Sequence, residues 1–68
     1  MFYKVSNGFG RKCVFTDDVK VAMVEFKKLV AEGAEIVEMM EYTENSKGIH
    51  GVQVAGYWNG KQWSKVEA

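Results

Sequence analysis

His50 and Cys13 are the only imidazole and the only thiol in this chain of 68 residues, so any catalytic reading starts from them. A general base needs a nucleophile or substrate within hydrogen-bond reach and a further group to orient it. Neither residue has an acid or base at a recognisable spacing. His50 stands in a loop segment between Gly48 and Gly51, and its expected place is the surface. Cys13 is expected to be a small buried or half-buried hydrophobe. A Cys13–His50 thiol–imidazole pair is the one enzyme reading, and it rests on the presence of the two residues alone. One Cys and one His are too few for a structural zinc site, and no Asp-x-Asp-x-Asp calcium loop occurs. No metal, cofactor or catalytic residue is therefore expected.

The more suggestive run is Gly8-Phe9-Gly10-Arg11-Lys12. An aromatic flanked by glycines can stack on a base or another ring, while Arg11 pairs with a phosphate or carboxylate. The plainer reading folds Phe9 back onto a sheet edge. Phe9, Arg11 and Lys12 are the first candidates for partner binding. Val21, Val24 and Lys28 join them, for the reason given below.

These groups must be held by a small scaffold. The length suits one domain, residues 1–68. Such a chain buries only about 60% of the surface its unfolded form exposes, so its core must be used almost fully. Apolar residues make up 47% of the composition, which lets a core form without staples. Nine basic and nine acidic side chains cancel. Non-specific nucleic-acid binders usually carry a basic excess, because phosphate contacts supply most of their affinity. Neutrality also protects only modestly against self-association, so a homodimer would be unsurprising. The lone cysteine suits a reducing compartment. With no positively charged start followed by an apolar stretch, and no apolar run longer than Val21–Val24, a soluble cytoplasmic protein is expected.

Phe2–Val5 reads as a strand, Ser6–Gly10 as a hairpin loop, and Lys12–Phe15 as a second strand. In Thr16-Asp17-Asp18, Thr16 or Asp17 can accept from the first-turn N–H groups of a helix, and the acids complement its positive end. That helix runs to about Glu32 and ends at Gly33, a residue suited to the left-handed conformation past a helix terminus. Steps of 100° gather Val19, Ala22, Met23, Phe26, Leu29 and Val30 into one core-facing stripe. Val21 and Val24 miss the stripe and lie on the opposite side beside Lys28. They are either isolated surface valines or a small contact patch.

From Glu32 onward, across Gly33, glutamates recur every third residue, at 32, 35, 38, 41 and 44. A helix continuing through Gly33 would incur close to 1 kcal/mol for the glycine. A strand from Ile36 to Thr43 is preferred. Neither of its faces is cleanly apolar, which suggests a charged edge strand. Asn45–Gly48 reads as a loop and Gly51–Trp58 as a strand. Asn59-Gly60 is the strongest hairpin signal, setting Trp58 opposite Lys61, Gly56 opposite Trp63 and Val54 opposite Lys65. Val52, Val54, Trp58 and Trp63 then share a face, with Trp63 over the bare Gly56. That face is the expected core. Tyr3, Tyr57, Gln53 and Gln62 are expected to line the open face. The fold class is α+β: one antiparallel sheet of about five strands, in chain order ββαβββ, with one helix packed on one face.

This layout, with the aromatic-rich hairpin Ala55-Gly56-Tyr57-Trp58-Asn59-Gly60-Lys61-Gln62-Trp63, resembles small phage-encoded host-takeover proteins. Among these are anti-CRISPR inhibitors of type I-F surveillance complexes. The resemblance implies a non-enzymatic inhibitor that binds a larger protein or ribonucleoprotein complex and occludes its nucleic-acid-binding site. It spans the chain as a layout and carries no diagnostic motif, so no site residue is transferred. The alternative is a small nucleic-acid-binding module that uses the open sheet face or the Phe9-Arg11-Lys12 loop.

Overall fold

The computed structural model describes residues 1–8 and 12–66. Phe9 and Arg11 lie outside the described residues. The strands are β1 (Phe2–Asn7), β2 (Cys13–Thr16), β3 (Ile36–Asn45), β4 (Gly48–Trp58) and β5 (Lys61–Ser64), with a single helix α1 (Val19–Ala31). They form one antiparallel sheet in the order β2-β1-β3-β4-β5. The expected α+β class and element order hold.

The helix begins where capping chemistry places it. Asp18 is the N-cap, and its Oδ1 accepts from the Lys20 N–H at 2.8 Å, while Thr16 Oγ1 accepts from the Asp18 N–H at 3.1 Å. At the other end Gly33 adopts φ +91°, a conformation that side-chain-bearing residues avoid. Ala22, Met23, Phe26 and Leu29 of the predicted stripe are buried, with Val19 and Val30 packed at the margin. Asp18→Ala removes the cap bond. It is expected to lower stability by about 1 kcal/mol, a fall in Tm of roughly 4–8 °C for a domain of this size. Thermal unfolding followed by circular dichroism reads this directly.

The helix packs on β1, β2 and β3. Val5, Phe26, Leu29, Val37 and Met39 are its fully buried large side chains. β3 is therefore the central strand, not the edge strand expected from its glutamates. Its register explains how the charges are tolerated. Glu38 lies opposite Ser6 on the face away from the helix, and Glu41 lies opposite Tyr3 near the rim of the core. Glu44 is on the exposed part of the strand. Each carboxylate reaches water without leaving a central strand.

The Asn59-Gly60 turn forms as expected, with φ of 53° and 81°. Trp58 pairs with Lys61 and Gly56 with Trp63. The assignment of faces is overturned. The register between β3 and β4 shifts between Met39 and Met40, whose partners are Ala55 and Gln53, leaving Val54 as an extra residue. A bulge of this kind moves every following side chain to the other face. Val54 and Ala55 are both buried, while Val52, Trp58 and Trp63 are exposed. Tyr3, expected on the open face, is buried in the core, and Tyr57 packs against it. Gln62 pairs with Tyr57 and shares the helix side, so only Gln53 of that set lies on the open face.

Candidate interaction surface

Alternation along each strand, combined with the pairing register, defines the face turned away from the helix. Phe2, Lys4 and Ser6 of β1 stand beside Cys13 and Phe15 of β2 and beside Glu38, Met40 and Tyr42 of β3. Gly51, Gln53, Gly56 and Trp58 continue the face on β4, and Lys61 and Trp63 complete it on β5. Nothing in the described residues covers it. Phe15 is 63% exposed, Trp58 68% and Trp63 42%. Large aromatics in water at this density mark a contact surface more often than chance exposure.

The aromatics are held by one another and by bare glycines. Phe2 stacks on Tyr42 with ring centroids 5.0 Å apart and tilts against Phe15 at 6.4 Å. A Cβ at Gly51 would stand 2.7 Å from the Tyr42 ring, and one at Gly56 would stand 2.8 Å from Trp63 Nε1. Both rings therefore cover bare backbone and leave no room for a side chain at either glycine. The predicted cover of Gly56 by Trp63 is present, but on the outside of the molecule.

Among the described residues, the charges on this face balance. Lys4 and Lys61 are matched by Glu38 and Glu44. Such a surface has no electrostatic preference for a polyanion.

The residues singled out in the sequence fall elsewhere. Val21 and Val24 are 44% and 63% exposed on the outer side of the helix, with Lys28 exposed one turn beyond Val24. Lys12 Nζ lies 3.5 Å from Glu32 Oε2, an exposed ion pair next to the helix C-terminus. These four residues follow the helix on the opposite side of the sheet from the aromatic face. One flat partner therefore cannot touch both. Phe2, Phe15, Tyr42, Trp58 and Trp63 were missed as surface residues. The signal for the tryptophans was the hairpin register, which places Trp58 and Trp63 on one face but does not say which.

Cys13 and His50 are not brought together. Cys13 is exposed on the open face of edge strand β2, contrary to the half-buried place expected for it. A four-residue edge strand has no second sheet or helix to bury that side. His50 is exposed on β4, opposite Thr43 on the helix side of the sheet. Three strand spacings, about 14 Å, separate β2 from β4. Among the described residues, no group of three or more His, Cys, Asp or Glu side chains is arranged to hold a metal ion. An open groove between the α1–β3 connection and the β4–β5 turn is lined by Glu35, Ile36, Tyr57 and Trp58. Tyr57 and Trp58 project to opposite sides of the sheet, so their polar groups do not converge on one ligand.

Burial raises the pKa of the Tyr3 phenol above its ordinary 10.0, and the adjacent Glu41 carboxylate adds to the rise as acceptor and as charge. The folded chain therefore holds this proton more tightly than the unfolded chain. Its contribution to stability is intact below pH 10 and is lost as the pH climbs from there through the raised folded value. Urea midpoints at pH 8 and pH 11 should fall further for the wild-type chain than for Tyr3→Phe. Equal falls in the two proteins would show that the phenol contributes nothing.

Among the described residues, no helix is long and apolar enough to cross a membrane. No family model, curated protein or solved structure matches this chain.

Proposed function

We propose that this protein is a non-enzymatic interaction module that binds a larger protein or ribonucleoprotein complex through the aromatic face of its sheet. The observation that carries the reading is the exposure of Phe15, Trp58 and Trp63 on one uncovered face beside Phe2, Met40 and Tyr42. Desolvation of rigid aromatic side chains is the main source of affinity at protein interfaces, and aromatics are enriched among the residues that dominate binding. The balanced charge of the face favours a protein surface over bare nucleic acid. In its most specific form the reading is that of an inhibitor that occludes a nucleic-acid-binding site on the larger complex. The layout resemblance to small phage-encoded inhibitors suggests that form. A reducing, cytoplasmic setting accords with the lone cysteine.

The test is capture from a lysate of the organism that carries the protein, using three immobilised chains in parallel. The wild-type chain and Val21→Lys/Val24→Lys should retain the same stoichiometric partner, and Phe15→Lys/Trp58→Lys should lose it. Loss in the outer-helix variant, with retention in the open-face variant, would move the site to the helix. A salt-dependent gel shift with mixed RNA and DNA, abolished by Phe15→Lys/Trp58→Lys, would replace this reading with the nucleic-acid module.

A further inference from the structure

The two ends of β4 have different neighbours. β5 pairs with β4 only over Ala55–Trp58, and the Lys65 N–H donates to the Val54 carbonyl at 2.7 Å. Residues 48–53 of β4 have β3 on one side and, among the described residues, no strand on the other. Among the described residues the sheet edge is thus stepped, with a recess beside the tip of the β3–β4 hairpin. We propose that a second copy of this chain fills that recess, the two β4 strands pairing antiparallel about a two-fold axis. The proposal is independent of the partner-binding role of the aromatic face.

An edge of six residues presents a row of backbone donors and acceptors that can template another strand. Native proteins normally blunt such edges with Lys, Pro or inward-pointing charge. Gly48-Ile49-His50-Gly51-Val52-Gln53 contains no proline and no Lys, Arg, Asp or Glu. The other edge of the sheet, β2, is only four residues long. The hairpin arm also lacks support of its own. Residues 43–53 are exposed throughout, including Ile49 and Val52, and a two-stranded ribbon is at best marginally stable in water. Pairing with a second copy sets this ribbon inside a four-stranded sheet.

Shape selects a second copy over an unrelated peptide. A stepped edge is complementary to its own two-fold image, because each hairpin tip stops short of Ser64, the last residue of β5, in the other copy. The contact is isologous, so assembly closes at two. A chain with nine positive and nine negative side chains offers no net repulsion.

The register follows from two constraints. Facing residues must lie on the same side of the joined sheet, and the tip must clear Lys65 of the other copy. Of the arrangements that meet both, the one with the longest overlap sets His50 opposite His50 on the axis, Ile49 opposite Gly51, and Gly48 opposite Val52. Ile49 and Val52 then each meet a glycine. Gly51 has the Tyr42 ring lying over it, which gives Ile49 of the second copy an apolar flank to pack against.

Analytical ultracentrifugation of the full chain across a concentration series, with no partner added, tests the proposal. A sedimenting mass of twice 7.7 kDa is expected, with slow hydrogen exchange at residues 48–53. His50→Lys places two ammonium groups side by side on the axis at an exposed position. It should weaken the dimer roughly two- to fivefold. Val24→Lys and Phe15→Lys should leave the dimer unchanged. A monomer throughout the series overturns the proposal. So does a dimer insensitive to His50→Lys, a dimer lost in Phe15→Lys, or a mass that grows without limit.

Discussion

Phe26→Ala should remove about a third or more of this protein's folding stability. Phe26 is fully buried at the centre of the helix stripe, among Val5, Leu29, Val37 and Met39. Truncating a buried Phe costs about 3–5 kcal/mol, the sum of lost transfer energy and the cavity left behind. At about 0.05–0.15 kcal/mol per residue, a chain of this length has roughly 3–10 kcal/mol to lose. With a single helix on a single sheet, no second layer can collapse into the space. The checks are dispersion in the amide spectrum and the urea midpoint. A midpoint shift equivalent to less than about 1 kcal/mol would mean that the core relaxes around the cavity, a cost well below the usual range.

The second large effect is expected in binding, with the fold retained. Phe15→Lys/Trp58→Lys should reduce affinity for the captured partner by about a hundredfold or more, since central aromatic anchors often contribute 2 kcal/mol or more. Both side chains are largely in water, so stability should change by less than about 1 kcal/mol. This contrast separates the substitution from Phe26→Ala, which lowers binding only by destabilising the fold. The measurement is a titration of each variant against the purified partner, with an unfolding curve for each chain. Undiminished affinity in a folded double variant would rule out the aromatic face as the contact surface.

The two substitutions also divide what could be read from the chain. The helix was legible because its signals lie within a few residues of one another. Asp18 and Gly33 mark its ends, and the spacing of Ala22, Met23, Phe26 and Leu29 marks its buried side. Phe26 could be placed in the core on that basis alone. The Asn59-Gly60 turn was legible for the same reason, and it determined that Trp58 meets Lys61 and Trp63 meets Gly56.

The aromatic face could not be found this way. Strand alternation predicts which residues share a side, but not which side the helix covers. The extra residue at Val54 breaks even that alternation. Trp58 and Trp63 were expected in the core because unbroken alternation puts them on one face with Val52 and Val54. The structure buries Val54 and Ala55 and turns both tryptophans outward. The placement of β3 was likewise beyond local reading. Its glutamates suggested an edge, yet pairing with β1 and β4 on both sides makes it central.

By itself the sequence determined the class of fold, the helix with its buried stripe, and the register of the last hairpin. Each depends on contacts between residues close in the chain. Which face of the sheet meets the helix, and so which aromatics stay exposed, depends on long-range packing. That choice rests on a bulge and on pairing between distant strands. Local propensity carries no information about either.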